Sequence, residues 1–297
     1  MSQAIRTTTE MRNSASVNLD RMSSLEIVTL MNDEDSGIAS AVRTQLPKIA
    51  RAADLCIKAL ENGGRIVYMG AGTSGRLAAI DAAECPPTFG VSPDTVVGLV
   101  AGGRQLEISL VNDKEDSPEC GRADLEGIGL CSSDIVIGIA ASGRTPYVAG
   151  GLDYARETGC STVAIACNTD SVIGKHADFA IEVIVGPEVL TGSTRLKAGT
   201  SQKMILNMIS TASMVGFGKC YSNLMVDVVP TNSKLVLRAR TILMEATGID
   251  DAKATEVMEE AGGNLKRAIV MVLAGCGADE ADERLARAKG HVREAIS

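Results

Sequence analysis

Arg65-Ile-Val-Tyr-Met-Gly-Ala-Gly-Thr-Ser-Gly-Arg-Leu-Ala-Ala-Ile-Asp-Ala-Ala-Glu-Cys-Pro-Pro87 is the stretch whose reading decides the fold. An apolar β-type run stops at Gly70. A loop of Gly70, Gly72 and Gly75 with Thr73 and Ser74 follows, and a helix-forming run then ends on Glu84-Cys85-Pro86-Pro87. Strand, glycine turn and helix in that order cradle an anion, because glycine lets backbone N–H groups approach it and the helix N-terminus adds partial positive charge. Glu84 then stands at the far end of the helix, about 15 Å away at 1.5 Å per residue.

Four more β-type runs follow at Thr95–Val100, Asp134–Ala140, Ser161–Cys167 and Phe179–Val185. Each is short, rich in Val and Ile, and apolar on both faces, as parallel strands covered on both sides require. Helical patterns lie between them, around 105–127, 146–158 and 170–176. The alternation predicts a doubly wound α/β fold, an about five-stranded parallel sheet flanked by helices, with ligands at the carboxyl ends of the strands. Before it, residues 1–22 read as a polar arm. Ser23 and Glu26 form a capping box opening a short helix through Met31, and one long helix is expected from Ile38 to Asn62. After the sheet, 197–217 is an apolar helix, expected to be buried in its own domain or against a second subunit. From Asn232 the chain turns helical and charged, in segments near 232–246, 250–261, 263–274 and 278–296, which reads as a small C-terminal helical bundle.

Composition narrows the function. The 297 residues contain no Trp and 2% aromatics, so the core is built from aliphatic residues. A formal net charge of −8 argues against general nucleic-acid binding, which needs a clustered basic surface. The eight cysteines form no C-x-x-C pair and read as reduced packing residues. No signal-peptide core opens the chain, and no run reaches the roughly 18 apolar residues of a spanning helix. A cytoplasmic protein without membrane, metal or cofactor is the expectation. With two histidines, His176 and His291, proton transfer falls to carboxylates.

Three strand-end loops carry hydroxyls and glycine: Gly70–Gly75, Ala141–Pro146 and Thr191–Thr200. Ser and Thr donate to phosphate oxygens, so together these loops describe a phosphate-ester site. Gly70–Gly75 also fits a dinucleotide fingerprint, but that reading wants an acid about 20 positions on, and the second strand ends in Val100-Ala-Gly-Gly103 followed by Arg104. A P-loop fails because no G-K-[ST] follows. Taken alone, Glu115 reads as a solvated acid, and Glu84 as a residue unfavourably placed against the helix dipole.

The sequence closely resembles the N-acetylmuramic acid 6-phosphate etherase family of the sugar isomerase (SIS) superfamily, from about Asn13 onward. The resemblance rests on Gly70–Gly90 (GAGTSGRLAAIDAAECPPTFG), Gly138–Tyr147 (GIAASGRTPY), Gly186–Gln202 (GPEVLTGSTRLKAGTSQ) and Asn223–Asp227 (NLMVD). It implies a lyase-type cleavage of the D-lactyl ether of a phosphorylated amino sugar by elimination and hydration, in cell-wall sugar recycling. It also implies Glu84 and Glu115 as the catalytic pair, with Gly72, Thr73, Ser74, Ser142, Gly143 and Thr145 on the substrate phosphate. Ser193, Arg195 and Lys197 are further candidate substrate contacts, and a homodimer is expected. The chain departs from the family's pattern at Arg104 and around Val111–Asp116 but keeps Glu115. The expected division is an arm and short helix at 1–36, a SIS phosphosugar-binding domain at 37–231 and a ubiquitin-associated-like helical domain at 232–297. An aldose-ketose isomerase or a non-catalytic phosphosugar sensor of the same fold are the alternatives.

Overall fold

A computed structural model describes residues 7–102, 114–228 and 233–297. Arg104, Val111–Asp113 and the start of the helix expected from 105 lie outside the described residues. The chain folds as two compact units, one of residues up to Ala83 with Asp94–Ser210, the other of Glu84–Pro93 with Thr211–Ser297.

In the first unit α1 (Ser24–Asp35), α2 (Ile38–Arg43) and α3 (Leu46–Glu61) precede β1 (Ile66–Gly70). The capping box forms as the sequence requires, with Glu26 N–H on Ser23 Oγ and Ser23 N–H on the Glu26 carboxylate. The single long helix expected from Ile38 is two helices. Pro47 sits in the first turn of α3, where its missing N–H costs nothing, whereas inside one helix it would break the ladder.

Then come α4 (Gly72–Phe89), β2 (Val96–Val100), α5 (Pro118–Gly127), β3 (Ile135–Ala140), α6 (Pro146–Thr158), β4 (Ser161–Ala166), α7 (Val172–Lys175), β5 (Phe179–Glu182) and α8 (Lys197–Gly216). The strands form one parallel sheet in the order β2-β1-β3-β4-β5. β1 and β3 are buried along their whole length, with Ile66, Val67, Tyr68, Ile135, Val136 and Ile137 at zero exposure. Each such aliphatic side chain contributes roughly 1.5–3 kcal/mol by leaving water. The apolar residues Ile205, Leu206 and Ile209 of α8 are likewise buried within the chain.

α4 does not stop at Glu84. It runs on through Pro86 and Pro87 to Phe89, where Gly90 turns with φ of 63°. The prolines delete only two ladder hydrogen bonds, those that would reach the carbonyls of Ala82 and Ala83, and the helix resumes beyond them. Glu84 is therefore a mid-helix residue rather than a helix-end acid.

The second unit holds the two-stranded hairpin β6 (Cys220–Tyr221) and β7 (Leu224–Met225), which the sequence reading did not anticipate. It continues with α9 (Ser233–Thr247), α10 (Asp251–Glu260), α11 (Leu265–Ala274), α12 (Ala278–Arg287) and α13 (Val292–Ala295). Val226, Leu243, Ala254 and Ile269 lie in its core. The helix expected over 278–296 is split by Lys289 and Gly290, both at positive φ. Among the described residues no helix is long and apolar enough to cross a membrane.

Candidate active site

The sheet order reverses between β1 and β3, and at such a switch point the two loops leaving neighbouring strands diverge and open a crevice. Those loops are Gly70–Gly75 and Ala141–Pro146, two of the three picked out from sequence.

The first loop is closed by its glycines. A Cβ at Gly75 would overlap the Gly70 carbonyl, so the turn into α4 exists only without side chains there. Gly72 takes φ of 52° and its Cβ position faces open space, leaving the first turn of α4 accessible. Thr73 is half-buried, while Ser74 is buried and donates its hydroxyl to Gln202 Oε1 at 3.0 Å. Gln202 Nε2 is buried with no hydrogen-bond partner among the described residues. Turning the amide over makes Nε2 the donor to Ser74 and leaves the Ser74 proton available to an anion.

The second loop carries Ser142, half-buried, and Gly143 and Thr145, both buried. Thr145 is the residue before Pro146 at the start of α6, yet its side chain does not cap that helix. Its hydroxyl is hydrogen-bonded instead to Glu115. Burial raises the Glu115 pKa, the neighbouring Asp116 adds to the rise, and the Thr145 hydrogen bond opposes it; the net direction is upward. A carboxylate so placed holds its proton to higher pH than a solvated one and is a stronger base when ionised. The structure thus brings Glu115 to the Thr145 loop, a contact that the solvated-acid reading of Glu115 did not foresee.

Glu84, in the second unit, is exposed on α4. Three residues earlier, Asp81 is 7% exposed and accepts hydrogen bonds from Asn207 Nδ2 at 2.6 Å and Ser210 Oγ at 3.2 Å, both on α8. Burial pushes the Asp81 pKa up against these bonds and one with Tyr68. This buried cluster ties α4 to α8; its one local sign is Asp81 itself, an acid among the small apolar residues of α4.

The third loop is arranged differently. The fully buried Glu188 accepts the N–H groups of Lys197 at 2.9 Å and Ala198 at 3.0 Å, so the chain's own carboxylate occupies the start of α8. Lys197 is 4% exposed and its Nζ is engaged by Glu34, whose pKa is lowered chiefly by that bond. Arg195 is exposed and Ser193 half-buried, in a turn closed by Ser193 N–H on Leu190 O at 2.9 Å. Among the described residues no group of three or more His, Cys, Asp or Glu is placed to hold a metal.

The chain is 56% identical over 288 residues to an N-acetylmuramic acid 6-phosphate etherase of Exiguobacterium, covering 97% of this chain and 98% of that one. It is 55% identical to one of Mycolicibacterium smegmatis, covering 97% of each. The chain belongs to the N-acetylmuramic acid 6-phosphate etherase family. Two family profiles also match, described as the glucokinase regulatory protein N-terminal SIS domain over residues 48–156 and the SIS domain over 130–212. Among solved structures, a phosphoheptose isomerase of Neisseria gonorrhoeae superposes with a TM-score of 0.51 at 16% identity, over 64% of this chain and 99% of that one, which shows the shared fold. In this etherase the fold of the superfamily supplies the switch-point crevice, and the segment around Glu115 supplies a carboxylate beside it.

Proposed function

We propose that this protein cleaves the D-lactyl ether of N-acetylmuramic acid 6-phosphate with water, giving N-acetylglucosamine 6-phosphate and D-lactate, in cell-wall sugar recycling. The observation that carries the reading is identity above one half to etherases over 97% of the chain, both units included. The geometry of Glu115 supports it.

In the open-chain sugar the C2 proton is acidified by the C1 aldehyde. Glu115 removes it, and the electron pair forms the C2–C3 double bond as the C3–oxygen bond breaks. Glu84 gives the leaving lactate oxygen its proton. Water then adds at C3 and a proton returns to C2, which balances the reaction as a net hydrolysis. The raised pKa of Glu115 suits a base that must also return the proton. Gly72, Thr73, Ser74, Ser142 and Gly143 hold the 6-phosphate, with Thr145 shared between phosphate and base. Ser193, Arg195 and Lys197 contribute to the sugar side, Lys197 through its bond to Glu34.

The protein acts in the cytoplasm as a homodimer in this reading. α1 buries none of its residues, and Leu25 and Val28 on it are 74% and 57% exposed, a face suited to a second copy. Light scattering on the purified protein tests the dimer.

Incubation with N-acetylmuramic acid 6-phosphate in deuterated water tests the chemistry. D-lactate release with deuterium at C2 of the product is expected. C2 exchange without lactate would point to an isomerase instead, and neither would leave a phosphosugar-binding protein.

A further inference from the structure

We infer that Asn168, held by Thr8 and Thr9 of the N-terminal turn, is a positioning residue that sets the phosphate affinity of the loop after β3. The inference rests on the reading of Ser142–Thr145 as part of the phosphate site.

Asn168 is 3% exposed and lies just past the end of β4. Its Nδ2 donates to the carbonyl oxygens of Ala141 and Ser142, each at 3.2 Å, and to Thr9 Oγ1 at 3.0 Å. Its Oδ1 accepts the Thr8 hydroxyl at 2.7 Å and the Thr9 N–H at 3.4 Å. The two carbonyls can only accept, so the nitrogen end of the amide must face them; the opposite orientation would set oxygen against oxygen.

This arrangement decides what the loop shows to a ligand. Ala141 O also accepts Cys167 N–H at 3.0 Å, and Gly143 O accepts Ile173 N–H at 3.0 Å, so three successive carbonyls are turned toward β4 and α7. The peptide bonds are trans, so the Ser142 N–H points opposite to the Ala141 carbonyl, away from Asn168. Gly143 N–H is taken by Ala140 O at 3.0 Å and Arg144 N–H by Ser142 Oγ at 3.3 Å. Carbonyl oxygens repel an anion and N–H groups attract it, so withdrawing the carbonyls leaves the Ser142 N–H as the backbone group this loop turns to an anion.

Thr8 and Thr9 complete the device from 159–160 residues away in the chain. Thr9 is fully buried. Without the two hydroxyls the Asn168 amide keeps the carbonyls and the long Thr9 N–H bond but loses its two short side-chain contacts, at 2.7 and 3.0 Å, and its plane is held less firmly. The N-terminal turn acts on the phosphate through Asn168 and does not touch it.

The test uses the full chain with Thr8 and Thr9 both changed to Val, which keeps shape and removes the hydroxyls. The Kd for inorganic phosphate and the KM for N-acetylmuramic acid 6-phosphate are expected to rise about five- to ten-fold, the equivalent of one or two lost hydrogen bonds. The kcat should stay within about two-fold, since the chemistry is untouched, and Thr8→Ser/Thr9→Ser should restore the parent values. Ser142→Ala is the control. If it weakens phosphate binding while the Val variant does not, the brace is overturned and the phosphate site stands. If Ser142→Ala leaves phosphate binding unchanged, the site reading fails and takes the brace with it. A fall in kcat at constant KM, or no rescue by serine, also overturns the brace as a determinant of affinity. Should the double variant not fold, Thr8→Val alone, at a half-exposed position, carries the same comparison.

Discussion

The carbonyl oxygen of Glu115 accepts the N–H of Tyr147 at 3.0 Å. With the hydrogen bond between its carboxylate and Thr145, this fixes Glu115 to the start of α6 by backbone and side chain together. Thr145 leads out of a strand at the switch point, and Tyr147 is fully buried under it. The carboxylate proposed as base is therefore held by the element whose preceding loop is proposed to hold the phosphate. That is the kind of preorganisation that proton transfer at a fixed carbon needs.

Glu115→Gln is expected to lower C2 proton exchange by about two orders of magnitude or more, the usual contribution of a general base. In the parent protein the rate should rise with pH as Glu115 ionises. Because its pKa is raised, this limb should stand above the ordinary carboxylate range. Deuterium incorporation followed by mass spectrometry across pH checks both, and a limb at the pKa of a solvated glutamate would count against Glu115.

Thr145→Val separates the two duties assigned to Thr145. The hydroxyl bond favours the charged form of Glu115, so its loss raises the Glu115 pKa further and moves the acid limb of kcat toward higher pH. Loss of a phosphate contact raises KM by about five-fold. A KM change with an unmoved limb would show that Thr145 serves the phosphate alone.

Much of this was legible in the sequence because the physics is local. Apolar runs of Val and Ile could only be parallel strands, and Gly70, Gly72 and Gly75 could only be a tight turn, so the sheet and its first loop followed. Pro86 and Pro87 read as a stop and put Glu84 at a helix end, but two missing hydrogen bonds do not end an 18-residue helix packed in place. Nothing local in the sequence marks Asn168, Gln202 or Glu188. Each is a single polar residue whose role is set by a partner brought from far along the chain, and no spacing rule encodes that. Lys197 reads as a candidate substrate contact because nothing local shows that Glu34 is its partner.

Gly121→Ala should damage both stability and catalysis. A Cβ at Gly121 on α5 would overlap the Tyr147 carbonyl oxygen on α6, backbone that cannot rotate away. The helices must separate, and Glu115 lies just before α5 while Thr145 lies just before α6. Overpacking of this kind costs about 1–3 kcal/mol or more. We expect a lower thermal midpoint together with a loss of kcat that persists well below it; normal kcat in the folded variant would show that Glu115 does not depend on this helix contact.

Asp134 offers a test at the other end of the sheet. It is 2% exposed, just before β3, and accepts Arg65 N–H at 2.8 Å, Arg65 Nε at 3.2 Å, an Arg65 terminal nitrogen at 2.7 Å and Cys131 N–H at 3.0 Å. Burial alone would raise its pKa, but these bonds and the Arg65 charge outweigh it and hold the group below the ordinary range. A depressed folded pKa means stability that is present above the unfolded value, about 3.9, and lost as pH falls through the folded one. Asp134→Asn removes the charge but little volume, and should cost about 2 kcal/mol at neutral pH, discounted because Arg65 is partly exposed. The gap from the parent should narrow as pH drops below about 4, since only the parent loses the interaction there. Urea unfolding at a series of pH values measures it. KM and kcat at neutral pH should not change, because the pair sits at the amino ends of β1 and β3 while the crevice lies at their carboxyl ends; a gap independent of pH would mean that packing, not charge, is what Asp134 contributes.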